Sequence, residues 1–266
     1  MGSTLYVVAT PIGNLGDLSR RALEVLQQAA LIAAEDTRHS QRLLQHFAID
    51  TPLCAYHEHS GEGAAERILA CLESGDSVAL ISDAGTPLIS DPGYRLVRQA
   101  QERGFRVSPI PGPCAATAAL SASGLPTDRF LFEGFLPARR GARRNRLESL
   151  AVQSATLVFY EAPHRVLESL DDMIGVLGGA REAALAREVS KTYETIRRSD
   201  LEGLRAFVAE TPHQQRGEIV LMVAGARERR EIIDPATLHL LERLAEELPP
   251  RRAAAVVADI SGQRKK

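Results

Sequence analysis

The sequence predicts an α/β protein of two lobes followed by a small helical appendage, and three observations carry that prediction. Short apolar runs alternate with helical spacings over residues 5–110, and the same alternation resumes over 129–224. After Gly225 the texture turns to arginine and glutamate and then to two helical patterns. The boundaries expected from these shifts are an N-terminal α/β lobe over 1–118, a C-terminal α/β lobe over 119–226 and a helical segment over 227–266. A ligand cleft is expected between the two lobes.

In the first lobe, residues 5–8, 77–81 and 105–110 read as buried strands. Leu18, Ala22, Val25, Leu26 and Ala29 fall at helical spacing, as do Ile68, Leu69 and Leu72. The small, apolar segment 116–124 leads into Leu125-Pro126-Thr127-Asp128, where the junction between lobes is expected. Strands then follow over 129–135 and 156–160, a helix over 165–177, and strands near 182–189 and 218–224. Residues 236–248 and 251–260 read as two helices separated by Pro249-Pro250. The last six residues, 261–266, have the composition to begin a further helix after a turn, which would make a helix-turn-helix.

Each strand of the first lobe empties into a glycine- and proline-rich loop. These are Ala9-Thr10-Pro11-Ile12-Gly13-Asn14, the dense segment from Ser82 to Gly93 that holds Ala84-Gly85-Thr86-Pro87 and Asp91-Pro92-Gly93, and Pro111-Gly112-Pro113. In an open α/β sheet such loops gather at the carboxyl ends of the strands, where backbone groups bind small ligands. Plain β-turns account for the same composition. Asp83 and Asp91, flanking exposed backbone carbonyls, would suit a positively charged ligand, and Ser90 or Asp91 is placed to cap the next helix.

Composition bounds the function. The chain has 266 residues and a formal net charge of -2, so any affinity for nucleic acid must come from local clustering. Cys54, Cys71 and Cys114 are an odd number without a Cys-x-x-Cys spacing, which argues against a disulfide frame and for a reducing cytoplasm. No apolar stretch is long enough for a membrane span, and no secretory leader is expected. No metal is expected either: His57-x-His59 has no carboxylate or cysteine partner in range and reads as surface. The Gly-x-Gly-x-x-Gly and P-loop patterns are missing, as are His-Glu-x-x-His and Gly-x-Ser-x-Gly.

Three further segments carry chemistry. Glu35-Asp36-Thr37-Arg38 either starts a helix with acids at its positive end or belongs to a site. Tyr160-Glu161-Ala162-Pro163-His164-Arg165 closes an apolar strand with an aromatic, an acid and an imidazole together, more than a turn requires, and reads as a site. Arg139, Arg140, Arg143, Arg144 and Arg146 stand within eight residues that contain no acid. They read as a mobile basic loop for a polyanion, with a solvated helix face as the alternative.

Taken in order, these segments resemble the ribosomal RNA small subunit methyltransferase I family, within the broader tetrapyrrole methylase fold. The residues that carry the resemblance are those of 6–15, Ala34-Glu35-Asp36-Thr37-Arg38, Ser82-Asp83-Ala84-Gly85-Thr86-Pro87, Asp91-Pro92-Gly93, Pro109-Ile110-Pro111-Gly112-Pro113, Gly134-Phe135-Leu136-Pro137 and the block from Tyr160 to Arg165. The resemblance implies S-adenosyl-L-methionine as methyl donor and 2′-O-methylation of a cytidine ribose in the decoding region of 16S rRNA in the small ribosomal subunit. A homodimer is expected with it.

Carried over by position, the resemblance implies cofactor contacts from Pro11, Gly13, Asp83, Ala84, Gly85, Thr86, Ala115, Ala116 and Glu161. Glu161 falls where tetrapyrrole enzymes of this fold often place methionine. RNA contacts are expected from the five arginines together with His164 and Arg165. The family's last segment is similar to a helix-turn-helix, which this chain is expected to hold only in part. Candidates for accepting the ribose proton are Glu161, Glu35, Asp36 and Lys191, the last only if its pKa is depressed. Two other readings stand beside this one: a tetrapyrrole C-methyltransferase of the same fold, and a non-catalytic RNA-binding ribosome-assembly protein.

Overall fold

The computed structural model describes residues 3–57, 62–226 and 235–261. It divides into two compact units, Met1–Ala226 and Arg227–Lys266. Among the described residues of the larger unit, ten strands form two five-stranded sheets.

The first sheet contains β1 (Thr4–Val8), β2 (Leu31–Ala34), β3 (Leu53–Ala55), β4 (Val78–Ile81) and β5 (Arg106–Ile110), all parallel, in the order β3-β2-β4-β1-β5. Its helices are α1 (Arg20–Gln28), α2 (Thr37–His46), α3 (Glu62–Glu73) and α4 (Tyr94–Glu102). A parallel sheet covered on both faces needs apolar side chains on both, so its central strands read as continuous apolar runs. Alternation is still visible in where they point. Leu31, Ala33, Val78 and Leu80 pack with Ile68, Leu69 and Leu72 of α3 and Leu96 of α4, while Ile32, Ala34, Ala79 and Ile81 pack with Ala22 and Leu26 of α1 and Leu44 of α2.

The second sheet is mixed, built from β6 (Phe130–Phe135), β7 (Thr156–Glu161), β8 (Glu182–Arg187), β9 (Thr195–Asp200) and β10 (Ile219–Val223) in the order β6-β7-β10-β8-β9. Only β6 and β7 are parallel. Leu157, Phe159, Leu185 and Leu221 face α6 (Arg140–Leu150), α7 (Val166–Leu177) and α8 (Leu201–Glu210). Val158, Ala184, Ala186, Val220 and Met222 face α5 (Ala115–Ala122) through Ala116, Ala119 and Leu120. The expected lobe boundary at 118/119 therefore falls inside a helix that packs on the second sheet.

Local signals set the helix starts. Ser19 Oγ accepts from Ala22 N at 3.1 Å to cap α1, Asp36 Oδ1 accepts from Arg38 N at 2.8 Å to cap α2, and Asp200 Oδ1 accepts from Gly203 N at 2.7 Å to cap α8. The cap of α4 is Gly93, without a side-chain bond, and not the expected Ser90 or Asp91. The strand read over 182–189 stops at Arg187, because Glu188 turns into the left-handed region with φ 51°.

The smaller unit contains α9 (Pro235–Glu247) and α10 (Pro250–Ser261), with Ala253 and Val257 of α10 buried. The expectation for a further helical turn beyond residue 261, and that for His59, lie outside the described residues. None of the described helices is long and apolar enough to cross a membrane.

The arginine-rich segment is corrected by the structure. It is not a loop but the helix α6, in which Arg143 is buried and Arg140, Arg144 and Arg146 are ion-paired while still partly exposed. Arg143 is 1% exposed and donates through Nε to Asp172 Oδ2 at 2.8 Å, with Glu168 at 3.4 Å. Asp172, equally buried on α7, also receives Arg140 Nε at 3.1 Å and Arg144 Nη1 at 3.5 Å. Burial acts to raise the Asp172 pKa, but the hydrogen bonds from Arg143 and Arg140 outweigh it and hold the carboxyl below the usual range. Arg146 is taken by Glu133, at 2.6 Å.

This cluster generates a stability prediction. Asp172→Asn leaves the buried Arg143 guanidinium without its main counter-charge and is expected to cost about 3–5 kcal/mol at neutral pH. Because the folded carboxyl is depressed, its contribution is complete above the ordinary aspartate range near pH 4 and is lost on acidification below it. Denaturant titrations of parent and variant should therefore differ by a constant amount from about pH 5 to 8 and converge in more acid solution. Equal stability at pH 7 would show that the cluster does not hold α6 to α7.

Candidate active site

The loops after β1, β4 and β5 meet at the carboxyl edge of the first sheet. Thr10 and Gly85 exchange two backbone hydrogen bonds, Thr10 N to Gly85 O at 2.8 Å and Gly85 N to Thr10 O at 3.1 Å. Thr86 Oγ1 donates to Pro113 O at 2.9 Å, and Ala9 N donates to Ile110 O at 3.3 Å, so the third loop is tied to the other two. The chain leaves β1 and β4 toward opposite faces of the sheet, through α1 and α4. This makes the gap between them the topological switch point at which open α/β sheets bind ligands.

A cleft of about 410 Å³ opens there, within the range of small-molecule sites. From the first sheet it is lined by Ile12, Asp83, Ala84, Gly85, Ser90 and Asp91, and from α5 by Ala115. The second sheet and its loops contribute Phe135, Tyr160, Pro163, Val189 and Glu218. The backbone around it is unusual: Gly85, Leu88, Ser90 and Glu188 all have positive φ, which non-glycine residues adopt at a cost and mostly at functional sites.

Its electrostatics are acidic. Asp91 is pushed above the ordinary carboxylate range, first by burial and also by the neighbouring Asp83 charge, against an opposing hydrogen bond from Ser82. Asp83 Oδ1 in turn accepts from Asp36 N at 3.0 Å. Tyr160 Oη accepts from Ala116 N at 3.2 Å, and burial raises its phenol pKa.

Of the expected cofactor residues, Asp83, Ala84, Gly85 and Ala115 line the cleft directly, with Ile12 between Pro11 and Gly13. Thr86 works behind it by holding Pro113, and Ala116 by its bond to Tyr160. Glu161 borders the cleft, but its carboxylate is engaged elsewhere. It is 3% exposed, accepts from Ser169 Oγ and from Ala162 N at 2.8 Å, and pairs with Arg165 at 2.9 Å. The same pair ties up Arg165, expected on RNA, while His164 is exposed.

The proton-acceptor candidates fare differently. Lys191 requires a depressed pKa, and the opposite is found. Burial would lower it, but Glu188 at 2.9 Å and Glu218 at 3.1 Å prevail and raise it. Its side chain lies over Gly13, and Ser190 Oγ hydrogen-bonds Asp17, so this segment straps the second sheet to the first loop. Asp36 caps α2 and is held below its usual range, chiefly by the backbone N–H of Arg38, which is the helix-start reading of that segment. Glu35 is half-buried at the end of β2. Phe135, Val189 and Glu218 were outside the expected set, and only the resemblance block Gly134-Phe135-Leu136-Pro137 pointed near one of them.

The comparisons with known proteins agree with this architecture. The family model described as Tetrapyrrole (Corrin/Porphyrin) Methylases matches residues 4–205, and that described as the RsmI C-terminal HTH domain matches residues 231–266. Among solved structures, uroporphyrin-III C-methyltransferase from Thermus thermophilus superposes with a TM-score of 0.59 at 21% identity, covering 84% of this chain and 94% of that one. That likeness defines the class as a methylase fold. Two relatives named ribosomal RNA small subunit methyltransferase I are much closer in sequence. The one from Pseudomonas aeruginosa is 60% identical over 98% of this chain and 94% of its own length, and that from Escherichia coli O157:H7 is 52% identical over 98% and 91%. The chain belongs to the ribosomal RNA small subunit methyltransferase I family.

S-adenosylmethionine fits the donor set. Asp83 suits its cationic sulfonium or ammonium, and Asp91, whose carboxyl is pushed up chiefly by burial, lines the same cleft. With the Gly85 N–H and carbonyl committed to Thr10, the backbone for the polar adenosine end comes from the other lining residues, Asp83, Ala84 and Ala115.

Gly85 has φ 85°, and both of its backbone bonds to Thr10 depend on that conformation. Gly85→Val places a β-branched side chain in the left-handed region and is expected to weaken S-adenosylmethionine binding by at least about tenfold. Calorimetry on the folded variant reads the effect. Undiminished affinity would remove the loop from the donor site.

Proposed function

We propose that this enzyme transfers the methyl group of S-adenosylmethionine to the 2′-oxygen of a cytidine ribose in the decoding region of 16S rRNA in the small ribosomal subunit. One observation carries the reading: a switch-point cleft with a backbone cradle and paired carboxylates, in a chain 60% identical along nearly its whole length to a ribosomal RNA small subunit methyltransferase I. The tetrapyrrole alternative rests on fold likeness at 21% identity, which speaks to fold alone.

When bound, the donor supplies an electrophilic methyl on a sulfonium, so the chain's task is alignment and proton acceptance. The Thr10–Gly85 bridge and the Lys191 strap fix the two walls of the cleft, and Asp83 supplies negative charge. Glu161 and Lys191, bound into ion pairs, position the second wall. Asp91 is our proton acceptor. It faces the cleft, and its raised pKa brings a carboxylate closer to the working range of a base than Asp36, whose carboxyl is depressed.

The RNA reading of the arginine segment rests most directly on Arg139, exposed at the start of α6, with Arg140 and Arg146 exposed but ion-paired, and on the exposed His164; the segment matched by the helix-turn-helix model is the second RNA-binding element. We infer a cytoplasmic enzyme from its three free cysteines, and a homodimer from the family resemblance, which light scattering tests directly.

Methyl transfer from labelled S-adenosylmethionine to purified small subunits, followed by mapping of the modified nucleotide, tests the function. Within that assay Asp91→Asn should reduce the single-turnover rate by about 10²- to 10⁴-fold. In the parent, activity should fall as pH drops through the raised Asp91 pKa, since protonation removes the base. A variant that keeps the parent's rate and acid limb would exclude Asp91.

A further inference from the structure

Phe135 is the least expected residue of the cleft. It is 57% exposed at the end of the edge strand β6 and lines the site from the second sheet. Strict alternation along β6 would not put it there. Phe132 pairs with Val158 and Gly134 with Phe159, so Glu133 is an extra residue, a β-bulge. The bulge shifts Phe135 opposite Tyr160, onto the face that already carries Phe132.

Three aromatic rings result on one face. Tyr160 sits edge-on to Phe132 at 5.0 Å between centroids and to Phe135 at 5.6 Å, with an interplanar angle of 64° for the second pair. Tyr160 is in turn fixed by the Ala116 N–H. Phe135 is thus held by its neighbour while much of its own ring remains open to solvent.

The bulge is built at some cost. Gly134 takes φ 64°, and a Cβ there would stand 2.9 Å from Ser90 Oγ, itself on a residue with φ 66°. Two left-handed backbone positions from different sheets therefore meet beside the ring. The extra residue is pinned as well: the Glu133 side chain is 8% exposed and accepts from Arg146 Nε at 2.8 Å and Nη2 at 2.6 Å. An arginine that the sequence assigns to RNA thus also anchors the strand that presents Phe135.

We infer that Phe135 is the stacking platform for the base of the nucleotide whose ribose is methylated. A nucleotide presented to a cleft must leave its stack, and an unstacked base is held by an aromatic face. The occupant is an RNA nucleotide because the surroundings are complementary to one: Arg139 is exposed four residues beyond Phe135, and His164 is exposed next to the cleft residue Pro163. The inference rests on the rRNA reading and deepens it, naming what the second wall of the cleft recognises.

The test uses the full chain, small subunits and four variants. Phe135→Ala and Phe135→Leu both remove the π face, and Leu keeps the apolar contact with Tyr160; each should lower kcat/KM for small subunits by about 5- to 150-fold, as loss of one base stack does. Phe135→Tyr and Phe135→Trp should stay within about threefold of the parent, because stacking tolerates any aromatic ring. S-adenosylmethionine affinity should not change in any of the four. If Phe135→Leu keeps the parent's kcat/KM, the ring is apolar filling and the inference fails. If cofactor affinity falls in step with activity, Phe135 belongs to the donor half and the inference fails again. An inactive parent overturns the functional reading and this one with it, and is distinguished because it shows before any variant is compared.

Discussion

The pair of backbone hydrogen bonds between Thr10 and Gly85 is the constraint on which the site depends. It joins the loops that leave two adjacent parallel strands at the point where their helices part to opposite faces. Without such a tie, two glycine- and proline-rich loops at a sheet edge would sample many conformations, and a cradle of backbone groups has value only when it is preorganised. The second tie, from Thr86 to Pro113, brings the entry to α5 into the same frame. Because α5 packs on the second sheet through Ala116, Ala119 and Leu120, the order imposed at Gly85 passes to the opposite wall of the cleft.

Charge is distributed in a way that composition conceals. Asp83 and Asp91 line the cleft, whereas in the most basic stretch of the chain four of the five arginines are ion-paired with Asp172 or Glu133. Arg143 and Asp172 form a buried pair that Arg140 and Arg144 join from the surface side, and Arg146 holds Glu133. A buried guanidinium is costly unless its partners are well placed, so this helix is committed to its position on α7. That commitment has a function of its own, since the same helix fixes the bulge of β6.

Much of this was legible in the sequence, for physical reasons that can be named. Strands such as 5–8 and 77–81 are apolar on both faces and end in glycine and proline, so their identity and the position of the ligand edge follow together. The short strands were not legible. Leu31–Ala34 has two alanines and directly follows a helical pattern, and three residues suffice for Leu53–Ala55, so neither presents a period to read. Thr195–Asp200 is a charged edge strand, where polarity protects an open edge and erases the strand signal. In the site, the backbone-presenting loops were readable because glycine and proline announce them. The fate of Lys191 and Arg143 was not, because whether a charged side chain is free or paired depends on partners far away in sequence, such as Glu218 for Lys191 and Asp172 for Arg143.

The two walls of the cleft solve different recognition problems with different materials. The donor wall is mostly backbone and carboxylate, suited to a small cation that must be held in one orientation. The opposite wall, which we propose receives the acceptor, is aromatic, with Tyr160 locked by Ala116 and Phe135 left open, suited to a flat ring that arrives attached to a large particle. On the proposed rRNA reading such a ring cannot be enclosed, because the rest of the RNA must remain outside, and an open aromatic face suits it without closure. The lock between the walls, Lys191 over Gly13 with Glu188 and Glu218 around its ammonium, then sets the separation between donor and acceptor. An in-line displacement is sensitive to that distance above all, which explains why so many ionisable groups near this cleft are spent on holding its shape.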